Sequence, residues 1–393
     1  MKNKNLLIIS LIAMVNMLGY GIIIPILYSY SKKYGLSDFQ NGLLFSMFSV
    51  CQFISTPIIG RLSDRYGRRP MLIISILGTA ASFFLMAFAP NAIFLFIARA
   101  VDGLTAGNIP VAFAVISDST KPEERAKAFG RIGSALNFGF VFGPAVAAFT
   151  IGFGSAVPFI IAGVVTLIAA FLTAFYLPET NKHIGEVKQH GKLFDFPKLW
   201  RTLFHPDVGI IFIISLIFFL AFSCALLYGF QPFTMNVLKI TESQNAILFT
   251  IFGAIGLIAQ SFLVAPISKI LGIKKSFTSG MLFTAISFMI MFFSRSLPIF
   301  ILASIILSLS NSIVQTLIPT ILSREADEKS QGSIMGLNAS YQSLGMIFGP
   351  ILGGLVATIA IPTPFIVGTI LVFICFLFSF RVLRPGLKKQ SAF

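Results

Sequence analysis

Twelve predominantly apolar stretches run along the chain, at 6–28, 41–60, 70–88, 92–117, 128–152, 155–177, 208–230, 245–266, 276–294, 298–321, 333–360 and 364–383, and most are separated by short polar turns. About 20 apolar residues cross a bilayer as a helix, so the pattern predicts twelve spanning helices. Barrel strands would alternate over about ten residues, whereas these runs are continuous and about twice as long. The basic start, Met1-Lys2-Asn3-Lys4-Asn5, looks like that of a secretory leader. The apolar run after it is too long for one and lacks a small-residue cleavage site, so it is expected to stay as the first span.

The one long polar interruption, at 179–206, holds Glu179, Lys182, His183, Glu186, Lys188, His190, Lys192, Asp195, Lys198 and Arg201, and it divides six spans from six. Landmarks recur on either side of it. Gly67 is matched by Gly272, Gly130 by Gly336, and Gly143-Pro144 by Gly349-Pro350, at offsets of 205, 206 and 206. The expected fold class is therefore an all-α membrane protein of two pseudo-symmetric six-helix bundles, 1–178 and 207–393, joined by a linker at 179–206. Carriers use paired halves of this kind to expose a central site to each side in turn.

Composition agrees with lipid as the solvent: 56% of the residues are hydrophobic, 11% are charged, and Phe alone contributes 44. The net charge of +15 is distributed as a topology signal. Twenty-four of the 29 Lys and Arg residues fall on the side of the two termini, Lys32, Lys33, Lys239 and Arg295 fall on the other, and Arg99 lies inside the fourth span. Positive charge near span ends favours the cytoplasm, so both termini are expected there. Cations scattered over short loops form no basic face on a soluble domain, which argues against nucleic acid as a partner. Cys51, Cys224 and Cys375 all lie in apolar spans without a pairing pattern and are expected to be packing residues.

Of fourteen acids only Asp102 lies within a span, three residues after Arg99 and so on the same helix face. Each charge costs about 2.5–3.5 kcal/mol at mid-bilayer on insertion scales, and pairing or a watery cavity offsets that cost. Asp102 could carry a coupling proton, because burial and the guanidinium pull its protonation in opposite senses. The pair could equally tie the fourth span to its neighbours. Between the second and third spans lies the basic segment Gly60-Arg61-Leu62-Ser63-Asp64-Arg65-Tyr66-Gly67-Arg68-Arg69, whose glycines suit tight turns and whose cations hold the loop in the cytoplasm.

Gly139 and Gly143 in the fifth span, and Gly345, Gly349 and Gly353 in the eleventh, are spaced by four, which lets another helix approach closely. Pro144 and Pro350 bend those helices. Ser304, Ser308, Asn311 and Gln315 form a polar stripe along the tenth span, and Asn338, Tyr341 and Gln342 follow in the eleventh. Buried amides need partners, either one another or water and a solute. Asn16, Tyr20 and Asn108 could complete a binding site from the first half, and the nearby Phe suits a weakly polar, partly aromatic solute.

The segment Gly60–Arg69 resembles the signature loop of the major facilitator superfamily. With Arg99 and Gly103 in the fourth span and Gly139, Gly143 and Pro144 in the fifth, the first half resembles the drug:proton antiporter branch, including tetracycline-type efflux proteins. The resemblance covers nearly the whole chain. It implies proton coupling at Arg99 and a gating role for Gly60, Asp64, Arg65, Gly67 and Arg68, with the acid pairing across the boundary between halves and with a helix N-terminus. Two departures stand out: Ala147-Ala148 replaces the usual glycine pair, which occurs instead at Gly353-Gly354, and the first span lacks the acid found in many members, having Asn16 in its middle.

The resulting expectation is a monomeric inner-membrane carrier that exports a small, largely hydrophobic compound in exchange for protons by rocker-switch alternating access. The single membrane acid leaves open a proton-independent uniporter or metabolite carrier. A membrane enzyme is disfavoured, since His183, His190 and His205 lie in or beside the linker and no nucleotide-binding loop or metal-ligand set occurs at membrane depth. No cofactor is expected.

Overall fold

The computed structural model describes residues 2–181, 184, 196–205, 208–325 and 331–382. Most of the linker, including Lys182, His183, Glu186, Lys188, His190, Lys192 and Asp195, lies outside the described residues, as do Asp207, Asp327, Glu328 and the C-terminal residues from 383.

The chain begins with α1 (Lys2–Ile23) and α2 (Leu27–Lys32), which part at Pro25. Proline lacks the donor that a continuing helix needs. Next come α3 (Asp38–Tyr66), α4 (Arg68–Ala87), α5 (Ala92–Thr105), α6 (Asn108–Ser119), α7 (Pro122–Thr150) and α8 (Val157–Tyr176). The expected fourth span is thus two helices broken at Ala106-Gly107. The linker contributes α9 (Phe196–Leu203).

In the remaining chain α10 (Gly209–Phe222) passes through a wide π-helical turn, Ser223–Gly229, into α11 (Phe230–Asn236), and α12 (Glu242–Ile258) passes through another, Ala259–Leu263, into α13 (Val264–Leu271). The last elements are α14 (Ile273–Phe293), α15 (Leu297–Glu325), α16 (Gln331–Ala357) and α17 (Thr363–Ser379). No strand occurs among the described residues.

Among the described residues ten helical stretches are long and apolar enough to cross a membrane. The two remaining expected spans are helices of a different kind. In α16, 27 residues long, Asn338, Tyr341, Gln342 and several glycines dilute the apolar run, while α17 is apolar but only 17 residues long. Large side chains such as Phe149, Phe153, Phe175, Ile270 and Ile359 are exposed, as suits helices solvated by lipid.

Two compact units emerge. The first comprises Met1–Ser37, Met47–Leu193 and Thr241–Thr250, and the second Asp38–Ser46, Phe194–Ile240 and Ile251–Phe393. Each follows one sequence half except for one short segment drawn from the other.

Within the first unit α7 lies against α1 at glycines. A Cβ on Gly143 would sit 2.5 Å from the Leu18 carbonyl oxygen and 2.7 Å from Gly21 Cα, and one on Gly139 would collide with the Met14 carbonyl. Ile9, Ile12, Leu72, Ile76, Val115 and Ile116 form the core beside this contact.

Within the second unit α16 meets the α10–α11 stretch in the same way. A Cβ on Gly345 would lie 2.7 Å from Leu220 N, one on Gly349 would lie 2.7 Å from the Leu220 oxygen, and one on Gly353 would lie 2.9 Å from the Cys224 oxygen. Phe230, Phe233, Phe300 and Phe365 stack with centroid separations from 4.9 to 6.1 Å. Such ring pairs add about 0.5–1.5 kcal/mol each beyond burial. These four buried phenylalanines build the core of the unit.

Candidate functional site

Asn91 opens α5, its side chain accepting from the Ile93 amide at 3.1 Å, and the helix carries Arg99 and Asp102 inward. Both are buried, at 2% and 6% exposure. Arg99 Nη1 donates to Asp102 Oδ2 at 3.3 Å, and the guanidinium carbon lies 4.5 Å from the centre of the Phe48 ring. Phe48 also contacts the ring of Tyr20 at 5.8 Å. Arg99 Nε is buried with no hydrogen-bond partner. The α5 helix is pinned to α3 beside the pair: Ser55 Oγ donates to the Gly103 oxygen at 2.8 Å, and a Cβ on Gly103 would lie 2.6 Å from Cys51 Cβ. The corner therefore holds one ion pair, an aromatic face under the cation, and one unused donor.

Just past the break in the fourth span, Asn108 Nδ2 donates to Asn16 Oδ1 at 2.7 Å, leaving the buried Asn108 Oδ1 without a partner. The first unit thus brings together Arg99, Asp102 and Tyr20, and separately Asn16 and Asn108.

In the second unit Gln315 Nε2 donates to Asn311 Oδ1 at 3.0 Å. Ser304 and Ser308 donate instead to the carbonyls of Phe300 and Phe252, at 2.8 and 2.7 Å, so these two hydroxyls are spent on helix packing. Asn338 is buried with its Oδ1 unpartnered, and Gln342 is half-buried. Tyr341 departs from the expected solute-facing role. Its hydroxyl shares a 2.7 Å hydrogen bond with Thr202 Oγ1 and bonds the Leu199 carbonyl, while its ring packs 5.0 Å from Phe212. It anchors the linker helix α9.

The signature segment is mostly helix. Because α3 continues through Gly60 to Tyr66, the turn rests on Gly67 alone, at φ 106°, and a Cβ added to Gly60 meets nothing within 4 Å. Arg68 is shared between two acids: it pairs with Asp64 through Nη1 and with Asp118 Oδ2 through Nε at 3.1 Å, while Nη1 also donates to Ser63 Oγ at 2.8 Å. Arg65 lies over the Tyr66 ring at 5.2 Å.

The carboxylate at the start of α4 belongs to Glu179, not Asp64. Glu179 accepts from the amides of Arg68 and Arg69 at 2.9 and 3.0 Å, and from those of Thr180 and Asn181 at 2.9 and 2.8 Å. A helix N-terminus favours such an anion. By sequence Glu179 belongs to the start of the linker, and its separation from residue 68 along the chain hides the link.

A second group was legible and overlooked. Ser37–Ser46 reads S-D-F-Q-N-G-L-L-F-S, and Thr241–Thr250 reads T-E-S-Q-N-A-I-L-F-T, a repeat at an offset of 204. These are nearly the two segments that each unit draws from the other half. In the first unit Asn245 Nδ2 donates to the Pro25 oxygen at 2.8 Å, Ser243 Oγ to the Ala148 oxygen at 2.9 Å, and Lys33 lies 3.6 Å from Glu242. In the second, the Tyr228 hydroxyl donates to the Asp38 oxygen at 2.9 Å and Ser46 Oγ to the Ile347 oxygen at 2.6 Å. A Cβ on Gly42 would collide with the Pro350 oxygen, and one on Gly354 would lie 3.0 Å from Gly42 Cα. Of the glycine pair in α16, Gly354 meets Gly42 while Gly353 packs against Cys224 and Tyr228; at the repeat offset the equivalent of Gly42 is Ala246.

Known proteins are similar to this chain in sequence and in fold. The chain is 30% identical over 358 residues to Multidrug resistance protein 2 of Bacillus subtilis (strain 168), covering 90% of this chain and 88% of that one. It is 29% identical over 366 residues to the class C tetracycline resistance protein of Escherichia coli, covering 90% and 89%. Its fold is similar to a mutant form of the nucleoside transporter NupG, with a TM-score of 0.79, 14% identity, and coverage of 97% of this chain and 100% of that one. Turns through a positive-φ glycine at Gly67 and again at Gly272 mark two copies of one motif, and the Major Facilitator Superfamily matches residues 9–233 and 211–393: the chain belongs to that superfamily.

Proposed function

We propose that this chain is a secondary active transporter that exports small, largely hydrophobic, drug-like compounds in exchange for protons, and so confers resistance to them. The observation that carries the reading is the buried Arg99–Asp102 pair, since ionisable groups inside spanning helices are costly and characteristically mark ion or substrate pathways. The likeness to a multidrug and a tetracycline resistance protein supports the substrate class.

In this reading Asp102 loads and releases the proton while Arg99, held over Phe48, answers its change of charge. Residues 1–178 rock against 207–393, and the Gly67 turn with Asp64, Arg65 and Arg68 biases that motion. Gly139, Gly143 and Pro144, with Gly345, Gly349 and Pro350, form the close helix contacts that must slide or hold as it occurs. Asn16, Tyr20 and Asn108 on one side, and Asn311, Gln315, Asn338 and Gln342 on the other, are the polar groups offered to solute. The protein acts as a monomer in the cytoplasmic (inner) membrane with both termini inside, in keeping with its distribution of Lys and Arg.

A proton gradient supplies about 1.4 kcal/mol per pH unit, and a net charge crossing 100 mV about 2.3 kcal/mol. One pH unit matches what a tenfold accumulation requires, and 100 mV exceeds it. Purified protein in liposomes, with pH and voltage imposed separately, tests the reading: uptake of a lipophilic drug into inverted vesicles should follow the pH gradient. Flux that ignores it identifies a uniporter of the same fold.

A further inference from the structure

The second copy of the signature turn has inverted its charges. At the repeat offsets of 205 and 206, Asp64 becomes Lys269, Asp118 becomes Arg324, and Arg68, the cation those acids share, becomes Ile273. The backbone is kept: α13 ends at Leu271, Gly272 turns at φ 79°, and α14 starts at Ile273. The carboxylate that caps the first copy has no counterpart either, since the chain contains no acid after Glu328.

These replacements surround a cavity of about 660 Å³ lined by Ser268, Lys269, Gly272, Lys274, Lys275 and Arg324. Among the described residues no acid pairs with any of the four cations; the side chains of Glu325, Asp327 and Glu328 lie outside the described residues. Ser268 Oγ is buried without a hydrogen-bond partner, whereas its counterpart Ser63 receives Arg68 and donates to the Gly60 oxygen. Four cations, an idle hydroxyl and an uncapped helix start all call for an anion with several acceptor oxygens.

The setting selects its source. The cavity lies where three membrane-length stretches end or begin, Glu242–Leu271, Ile273–Phe293 and Leu297–Arg324, and the ends of spanning helices meet the headgroup region of a bilayer. Phe262, Ile270 and Leu271 on the stretch leading into it are exposed apolar side chains suited to acyl chains. We propose that this pocket binds the phosphate headgroup of an anionic phospholipid, with Lys269, Lys274, Lys275 and Arg324 as its cationic ligands and Ser268 as a donor. The proposal rests on the membrane placement above but not on the solute or the coupling ion, so lipid retention and transport succeed or fail separately.

Each Lys or Arg near an anionic membrane group contributes about a fivefold gain in binding. Native mass spectrometry of the full-length protein, titrated with phosphatidylglycerol and with phosphatidylcholine, reads that gain. The wild type should retain one phosphatidylglycerol in preference. Lys269→Gln with Arg324→Gln should weaken that binding about 25-fold, and Lys274→Gln with Lys275→Gln, an independent pair in case the first misfolds, should do the same. Equal retention of the two lipids by the wild type, or an undiminished preference in a folded variant, overturns the proposal. Displacement of phosphatidylglycerol by millimolar inorganic phosphate also overturns it, in favour of a soluble anion.

Discussion

Replacing Asp102 by Asn keeps the size of the side chain and removes one charge from a corner that holds two. Breaking a buried pair by removing one partner costs about 3–5 kcal/mol, and insertion scales value a lone charge at mid-bilayer at about 2.5–3.5 kcal/mol. Two features of the site moderate the loss. The amide oxygen can still accept from Arg99 Nη1, now 3.3 Å from Asp102 Oδ2, for about 1 kcal/mol net. The Phe48 face still supports the guanidinium at 4.5 Å. We therefore expect Asp102→Asn to destabilise the protein by about 2–3 kcal/mol. Adding Arg99→Gln removes the orphaned cation, so the double variant should be more stable than Asp102→Asn alone, with a coupling of about 2 kcal/mol in a double-mutant cycle. Reversible unfolding in detergent micelles measures all three variants. Strict additivity, or a loss below about 0.5 kcal/mol for Asp102→Asn, would refute the account of a mutually dependent pair. In liposomes the same substitution should abolish drug accumulation driven by a pH gradient while leaving passive exchange. Surviving accumulation would reduce Asp102 to a structural role.

Gly143→Ala and Gly349→Ala each push a methyl group into backbone and should cost about 1–3 kcal/mol in detergent unfolding, whereas Gly130→Ala, with nothing within 4 Å, should cost almost nothing; equal effects would discount the close helix contacts. Glu179→Ala should cost about 0.5–2 kcal/mol and speed hydrogen exchange at the Arg68 and Arg69 amides, and unchanged exchange there would remove its capping role. Tyr341→Phe should lose about 0.5–1.5 kcal/mol and expose α9 to protease while leaving drug selectivity intact, so that altered selectivity would return Tyr341 to the solute path. Asp64→Asn frees half of the Arg68 bridge, a part-exposed ion pair, and should shift the inward- and outward-facing populations by at most about fivefold, and distance measurements between spin labels showing no shift would end the gating assignment.

The periodicity of apolar residues was sufficient to read the fold, because in lipid every backbone group must be satisfied within a helix and length alone then marks the spans. It was blind to breaks that keep the chain apolar. The gap at Gly107 and the wide turns at Ser223–Gly229 and Ala259–Leu263 change hydrogen bonding without changing composition. The ion pair was legible because a charge among apolar residues is conspicuous and a spacing of three places two side chains on one face. The contact between Tyr341 and α9 was illegible for the opposite reason: a tyrosine's partner is set by packing, and α9 lay hidden in a segment read as linker. The matched runs at 37–46 and 241–250 needed only a self-comparison of the sequence, and their similarity marks where each unit borrows from the other half.

That borrowing bears on how the molecule is made. A ribosome that has delivered everything through Leu193 has not yet delivered all of the first unit, which waits for Thr241–Thr250, while Asp38–Ser46 emerges long before the unit it belongs to. A chain severed in the linker therefore separates each unit from one short segment of its own.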